Sequence, residues 1–162
     1  MKYFYDTEFL DTGKYIDLIS IGIIAEDGRE YYAINAGAQW AIINQHPWLA
    51  ENVVAQLPEP KSPEWKMTWQ IRDEVKAFLT HSDDTELWAW YSAYDHVVLA
   101  QLFGTMMELP EGIPMYTNDV RSLVDFTGVN ILPKQQGAEH DALADARHVK
   151  QMYEHIIKAS AR

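Results

Sequence analysis

The chain has 162 residues, an apolar fraction of 48% and 12% aromatic residues, the size and make-up of one domain with one packed core. It has no cysteine, which excludes a disulfide framework and a thiolate metal site and fits a cytoplasmic location. Its formal net charge of -11 argues against a broad basic surface for long nucleic acid, but carboxylates that gather divalent cations can make an acidic site locally positive.

In chain order, residues 2–9 read as an aromatic-rich strand and 15–25 as a second, β-branched one. Asp27-Gly28 is a hairpin signal, and 29–35 supplies the returning strand of a meander. Residues 36–67 are irregular, with Pro47, Pro58, Pro60 and Pro63 and short helical pieces around 47–56. A helix is expected over 68–79, a buried strand over 86–91 and a helix over 95–103, stopped by Gly104. A short strand near 115–118, a helix near 119–127, a loop from Gly128 to Gly137 and a last helix from about Asp141 to Lys158 complete the pass. This order predicts one α/β domain over 1–162 with a mixed sheet flanked by helices. No apolar run reaches the 18 or so residues of a membrane span. The opening Met1-Lys2-Tyr3-Phe4-Tyr5-Asp6 lacks the features of a signal peptide.

Three places could carry chemistry. Asp6-Thr7-Glu8 closes the first strand. Side chains two apart share a strand face, so the two carboxylates repel unless a cation lies between them. Acids at a strand end also serve as plain solvated charges. Here, however, Tyr3, Phe4, Tyr5, Phe9 and Leu10 flank them, and acids in such a setting are costly unless paired or metal-bound. Asp95 opens a helix after a buried strand, where a carboxylate also simply complements the helix dipole. In Glu139-His140-Asp141-Ala142-Leu143-Ala144-Asp145-Ala146-Arg147, Asp141 is a good N-cap and leaves His140 in the preceding loop. Asp145 lies one turn in, among alanines small enough to let the helix approach a sheet closely. A capped amphipathic helix with one surface Asp is the alternative.

An acid pair on the first strand, an acid opening a central helix and His-x-x-x-x-Asp on the last helix resemble the DEDDh 3′→5′ exonuclease superfamily. The resemblance spans almost the whole chain. Tyr3 to Phe9, Leu18-Ile19-Ser20-Ile21-Gly22, Tyr94 to Leu102 and His140 to Asp145 look most like the RNase AS group, mycobacterial adenylate-specific 3′ exoribonucleases. That implies an RNase H-like fold and a homodimer that trims RNA 3′ ends with a preference for adenylate tails. It also implies two Mg²⁺ or Mn²⁺ ions per site, held by Asp6, Glu8, Asp95 and Asp145, with His140 as general base. Two departures stand out. Many superfamily members carry Asn four residues before the central Asp, where this chain has Tyr91; the sister group with a Tyr base has that Tyr where this chain has Asp141.

Two hard cations roughly 4 Å apart can activate water, neutralise phosphoryl oxygens and stabilise the leaving 3′ oxygen, and Mg²⁺ favours such oxygen ligands. Asp6 is expected to bridge the ions, Glu8 and Asp145 to complete one side and Asp95 to serve the other. Thr7, Phe9 and Leu10 are expected at the terminal nucleotide. Trp69, Trp88 and Trp90 are read as core, Trp40 and Trp48 as base or interface contacts. His46, His81, His148 and His155 are assigned surface or packing roles, and Lys61, Lys66 and Arg72 solvated ones. The competing readings are a related exonuclease acting on single-stranded DNA or short oligonucleotides, a silent nucleic-acid-binding dimer of the same fold, and a plain acidic interaction domain.

Overall fold

The computed structural model describes residues 1–161. Strands β1 (Lys2–Asp11), β2 (Ile16–Ala25) and β3 (Glu30–Asn35) form the expected antiparallel meander. Two short strands, β5 (Glu86–Ala89) and β6 (Asn118–Asp119), add parallel beside β1, and β4 (Trp65–Lys66) adds parallel to β3. The sheet order is β4-β3-β2-β1-β5-β6. Helices α1 (Trp40–Ile43), α2 (Pro47–Asn52), α3 (Thr68–Leu79), α4 (Ala93–Gln101), α5 (Val120–Thr127) and α6 (Ala142–Ser160) flank it. This is the mixed α/β sheet of an RNase H-like fold.

β1 is apolar on both faces because both are covered. Tyr3 and Tyr5 pack with Ile71, Val75 and Leu79 of α3 and Val98 and Leu99 of α4. Phe4, on the opposite face, meets Val120 and Val124 of α5 and Val149, Met152 and Ile156 of α6. A third cluster joins Leu10 and Ile19 to Ile43, Leu49 and Val53 under α1 and α2. The β1–β2 register slips between Glu8 and Phe9, so β2 carries an extra residue beside the acid pair. Bulges of this kind re-aim side chains near functional sites.

Several expectations are corrected here. The strand over 86–91 ends at Ala89, because Tyr91 adopts the left-handed φ of 55° and turns the chain into α4, which starts at Ala93. The strand near 115–118 shrinks to Asn118–Asp119, and β4 lies inside the stretch read as irregular. Trp69 is not core: it is 57% exposed, because the buried face of α3 is set by Ile71, Val75 and Leu79. Trp40, read as a base or interface contact, is half-buried and tilted against Trp65 at 4.8 Å between ring centroids, its indole N–H donating to the Asn35 carbonyl.

Candidate active site

Strand alternation decides which way each residue of Asp6-Thr7-Glu8 points. Asp6 and Glu8 follow Phe4 onto the α6 face, while Thr7 faces α4. Where β5 stops, the Thr7 amide donates to Asp95 Oδ1 at 2.9 Å and its hydroxyl donates to the same oxygen at 2.6 Å. The α4 carboxylate thus takes up a β1 amide beyond the end of β5, and Val98 and Leu99, buried in the core, fix the helix that carries it.

α6 approaches from the other side. Gly22 pairs with Asp6 in the β1–β2 register, and a Cβ there would overlap the Ala142 carbonyl and the Leu143 amide nitrogen. Only a glycine admits the start of α6 so close to the sheet. Asp141 caps the helix, its Oδ1 accepting from the Ala144 amide at 2.8 Å, so Asp145 sits one turn in, beside β1. Asp145 Oδ2 accepts from the His140 amide at 3.0 Å, and its Oδ1 accepts from the Gln135 side-chain amide. His140 is held at a left-handed φ of 64°, a conformation non-glycine residues rarely keep without a constraint. Its ring meets Trp48 edge-on, centroids 4.9 Å apart.

Asp6, Glu8, Asp95, His140 and Asp145 all line one cavity of about 520 Å³. The four carboxylates crowd one another. Burial pushes the Glu8 carboxyl up to about 8, reinforced by Asp145, Asp95 and Asp141. Burial likewise raises Asp6 well above the usual carboxylate range, with Asp95, Glu8 and Asp145 adding to it. Asp95 rises to about 6 through burial, opposed by its two bonds from Thr7. Asp145 also rises, chiefly through burial, opposed by Gln135 and the His140 amide. Among the described residues, no lysine or arginine lines the cavity, so the neighbouring side chains supply no full positive charge to offset this repulsion. Glu8, His140 and Asp145 offer ligand atoms within 4.8 Å of one another. An oxygen-rich set of this kind fits a hard divalent cation such as Mg²⁺ or Mn²⁺.

Thr7 and Phe9 also line the cavity. Phe9 stacks on Tyr94, centroids 5.8 Å apart and 14° between planes. Leu10, expected at the substrate, is not among the lining residues: it is 3% exposed and packed in the cluster of Ile19, Ile43, Leu49 and Val53. Trp90, Tyr91, Tyr94, Gln135, His148 and Met152 line the cavity without having been singled out for it. Trp90 thus both packs against a core cluster and lines the cavity, and His148, assigned a surface or packing role, lines it too. Asp145, His148 and Met152 are three, then four residues apart on one helix, the spacing of a shared face, so that signal was present in the sequence.

Fold and site together define a class: RNase H-like α/β proteins with an acidic cavity on the central strand. The chain belongs to the family described as the 3'-5' exoribonuclease Rv2179c-like domain, whose model matches residues 1–157. It is similar to 3'-5' exoribonuclease Rv2179c of Mycobacterium tuberculosis (strain ATCC 25618 / H37Rv), 45% identical over 149 residues, covering 91% of this chain and 88% of the relative. 3'-5' exoribonuclease MT2234.1 of M. tuberculosis (strain CDC 1551 / Oshkosh) matches with the same 45% identity and coverage.

Proposed function

We propose that the chain is a one-domain, cytoplasmic 3′→5′ exoribonuclease of the DEDDh type, dimeric and selective for adenylate ends as the RNase AS resemblance implies. The observation that carries this reading is the convergence of Asp6, Glu8, Asp95 and Asp145, from three separate elements, on one cavity that no lysine or arginine lines among the described residues. The family and the names of both relatives support the exoribonuclease activity. Among the described residues no helix is long and apolar enough to cross a membrane.

Asp6, Glu8, Asp95 and Asp145 would hold two Mg²⁺ or Mn²⁺ ions. When bound, these ions supply charge neutralisation at the phosphoryl oxygens and activate the attacking water. His140, on the loop before α6, accepts the proton of that water at a ring nitrogen. Thr7 holds the Asp95 carboxylate through two hydrogen bonds. The stacked Phe9–Tyr94 pair offers an aromatic face to the terminal base, a contact worth about 1–3 kcal/mol per base.

The test uses 5′-end-labelled RNA and matched DNA, with Mn²⁺ or with EDTA. The expected result is a ladder of RNAs shortened one nucleotide at a time from the 3′ end, with Mn²⁺ only, faster on adenylate tails, and lost in Asp6→Asn. RNA left intact with Mn²⁺, or cut equally fast by Asp6→Asn, overturns the reading. Equal rates on DNA move it to the related exonuclease of broader substrate. Sedimentation reads the dimer.

A further inference from the structure

A second cavity, of about 440 Å³, shares Trp90 with the first and is lined also by Arg121, Asp125 and Asn130. Tyr91 lines the first cavity beside Trp90. It is 61% exposed, and its ring meets that of Trp90 at 5.3 Å. The Asp119 carboxylate links the turn at Tyr91 to the start of α5: its Oδ1 accepts from the Tyr91 amide at 2.9 Å and from the Arg121 amide at 3.1 Å. The left-handed turn at Tyr91 and the first turn of α5 therefore hold a fixed relation. Arg121 is the one cation among the described residues that line either cavity. Its Nη1 donates to Asp125 at 2.7 Å, from a side chain 35% exposed beside one 69% exposed. The guanidinium stays reachable from solvent, and an exposed helix pair of this kind is weak enough to exchange partners.

We propose that this Trp90–Tyr91–Arg121 track is the upstream subsite for single-stranded RNA, where a base stacks on the aromatic pair and the guanidinium takes the phosphate of a nucleotide upstream of the scissile bond. The inference rests on the exoribonuclease reading and deepens it. Aromatic rings accept any base, and arginine binds phosphate with a planar fork. Among the described residues no lysine or arginine lines the carboxylate cavity, so the neighbouring Arg121 is placed to give the backbone a permanent protein positive charge. A footprint with one such contact also agrees with a chain of net charge -11. Asp125 acts against the track, because its carboxylate competes with phosphate for the same guanidinium.

Binding of 5′-labelled oligoadenylates of two and of five nucleotides tests this, by fluorescence anisotropy on the Asp145→Asn protein, which keeps the cavity shape while turnover is stopped. In the Arg121 protein the five-mer is expected to bind about tenfold tighter than the two-mer. Arg121→Gln is expected to erase that advantage and to lower the salt slope of five-mer binding by roughly 0.7, the share of one phosphate contact on a single strand. Asp125→Asn is expected to act the other way and enlarge the advantage. If the ion pair were only structural, the two variants would weaken binding alike, and that result overturns the subsite. So does a length advantage that survives Arg121→Gln. In both cases the wild-type protein would still shorten labelled RNA with Mn²⁺, which separates failure of the subsite from failure of the nuclease reading. Absence of both RNA shortening and RNA binding removes the two together.

Discussion

Thr7 stands between the two acids of β1 and was read with them as a substrate contact. Alternation already turns it to the other strand face, and its amide and hydroxyl are both committed to Asp95 Oδ1. It is a positioning residue for a carboxylate. A hydrogen bond to a charged group is worth about 1.5–3 kcal/mol, and every 1.4 or so of that is tenfold in rate. Thr7→Val, which keeps the shape and removes the hydroxyl, should lower kcat about ten- to a hundredfold with KM changed less than about twofold, and Thr7→Ser should recover most of it. Single-nucleotide release from a short adenylate RNA measures both. A valine variant as fast as the wild type would leave Asp95 positioned by backbone alone. At this scale each acid was a weak signal alone, and only the fixed order of an acid pair, a helix-opening Asp95 and His140-x-x-x-x-Asp145 singled out the residues that the fold brings to one cavity. Leu10 was not, because an apolar residue beside an acid reads the same whether it faces a ligand or a core. The cluster that buries it, Ile19 with Ile43, Leu49 and Val53, is assembled from segments distant in the chain and leaves no local trace.

At the scale of elements, α6 is the piece that completes the site. The run Ala142, Ala144, Ala146 predicts a helix pressed close to its neighbour, and it is. The other half of that contact, Gly22 on β2, has no local signal of its own: a glycine inside a β-branched strand reads as a weak point until the helix is seen against it. Gly22→Ala makes the dependence measurable. Its methyl group would meet backbone at Ala142 and Leu143, which cannot swing away as a flexible side chain does. Overpacking usually costs about 1–3 kcal/mol, and here the upper end or more is expected. If the helix shifts instead, Asp145 shifts with it. Thermal denaturation should show a lowered Tm, and kcat at a temperature where the variant is still folded should fall more than tenfold. Wild-type values of both would mean that the sheet opens to admit the methyl. The short strands were less legible, since two-residue β4 and β6 offer no period to detect. Trp69 was misassigned because a tryptophan in a helical stretch was taken as inward-facing, whereas Ile71, Val75 and Leu79, each four residues on, define the buried stripe.

For the whole molecule, the composition gave the sign of the charge but not its depth. Most of the acids are surface groups. Asp27, Asp73 and Glu64, for example, have pKa values lowered by hydrogen bonds, and they keep a constant charge above pH 5. The cavity acids behave oppositely. Glu8 is raised from 4.5 to about 8 and Asp95 from 3.8 to about 6. Between those bounds the metal-free native protein holds protons that the unfolded chain has released, so its stability declines as pH rises. The Tm of the metal-free protein should accordingly fall from pH 5 to pH 8. His96, lowered from 6.5 by burial, contributes in the other direction, and comparison with Glu8→Gln cancels it: that variant should show a flatter profile. Divalent cations require the deprotonated carboxylates and bind only the folded cluster. Saturating Mn²⁺ should then raise Tm more at pH 8 than at pH 5, and potentiometric titration near neutral pH should record protons released on binding. Equal Mn²⁺ shifts at the two pH values, or an unchanged slope in Glu8→Gln, would mean that the four acids do not act as one titrating, cation-binding unit.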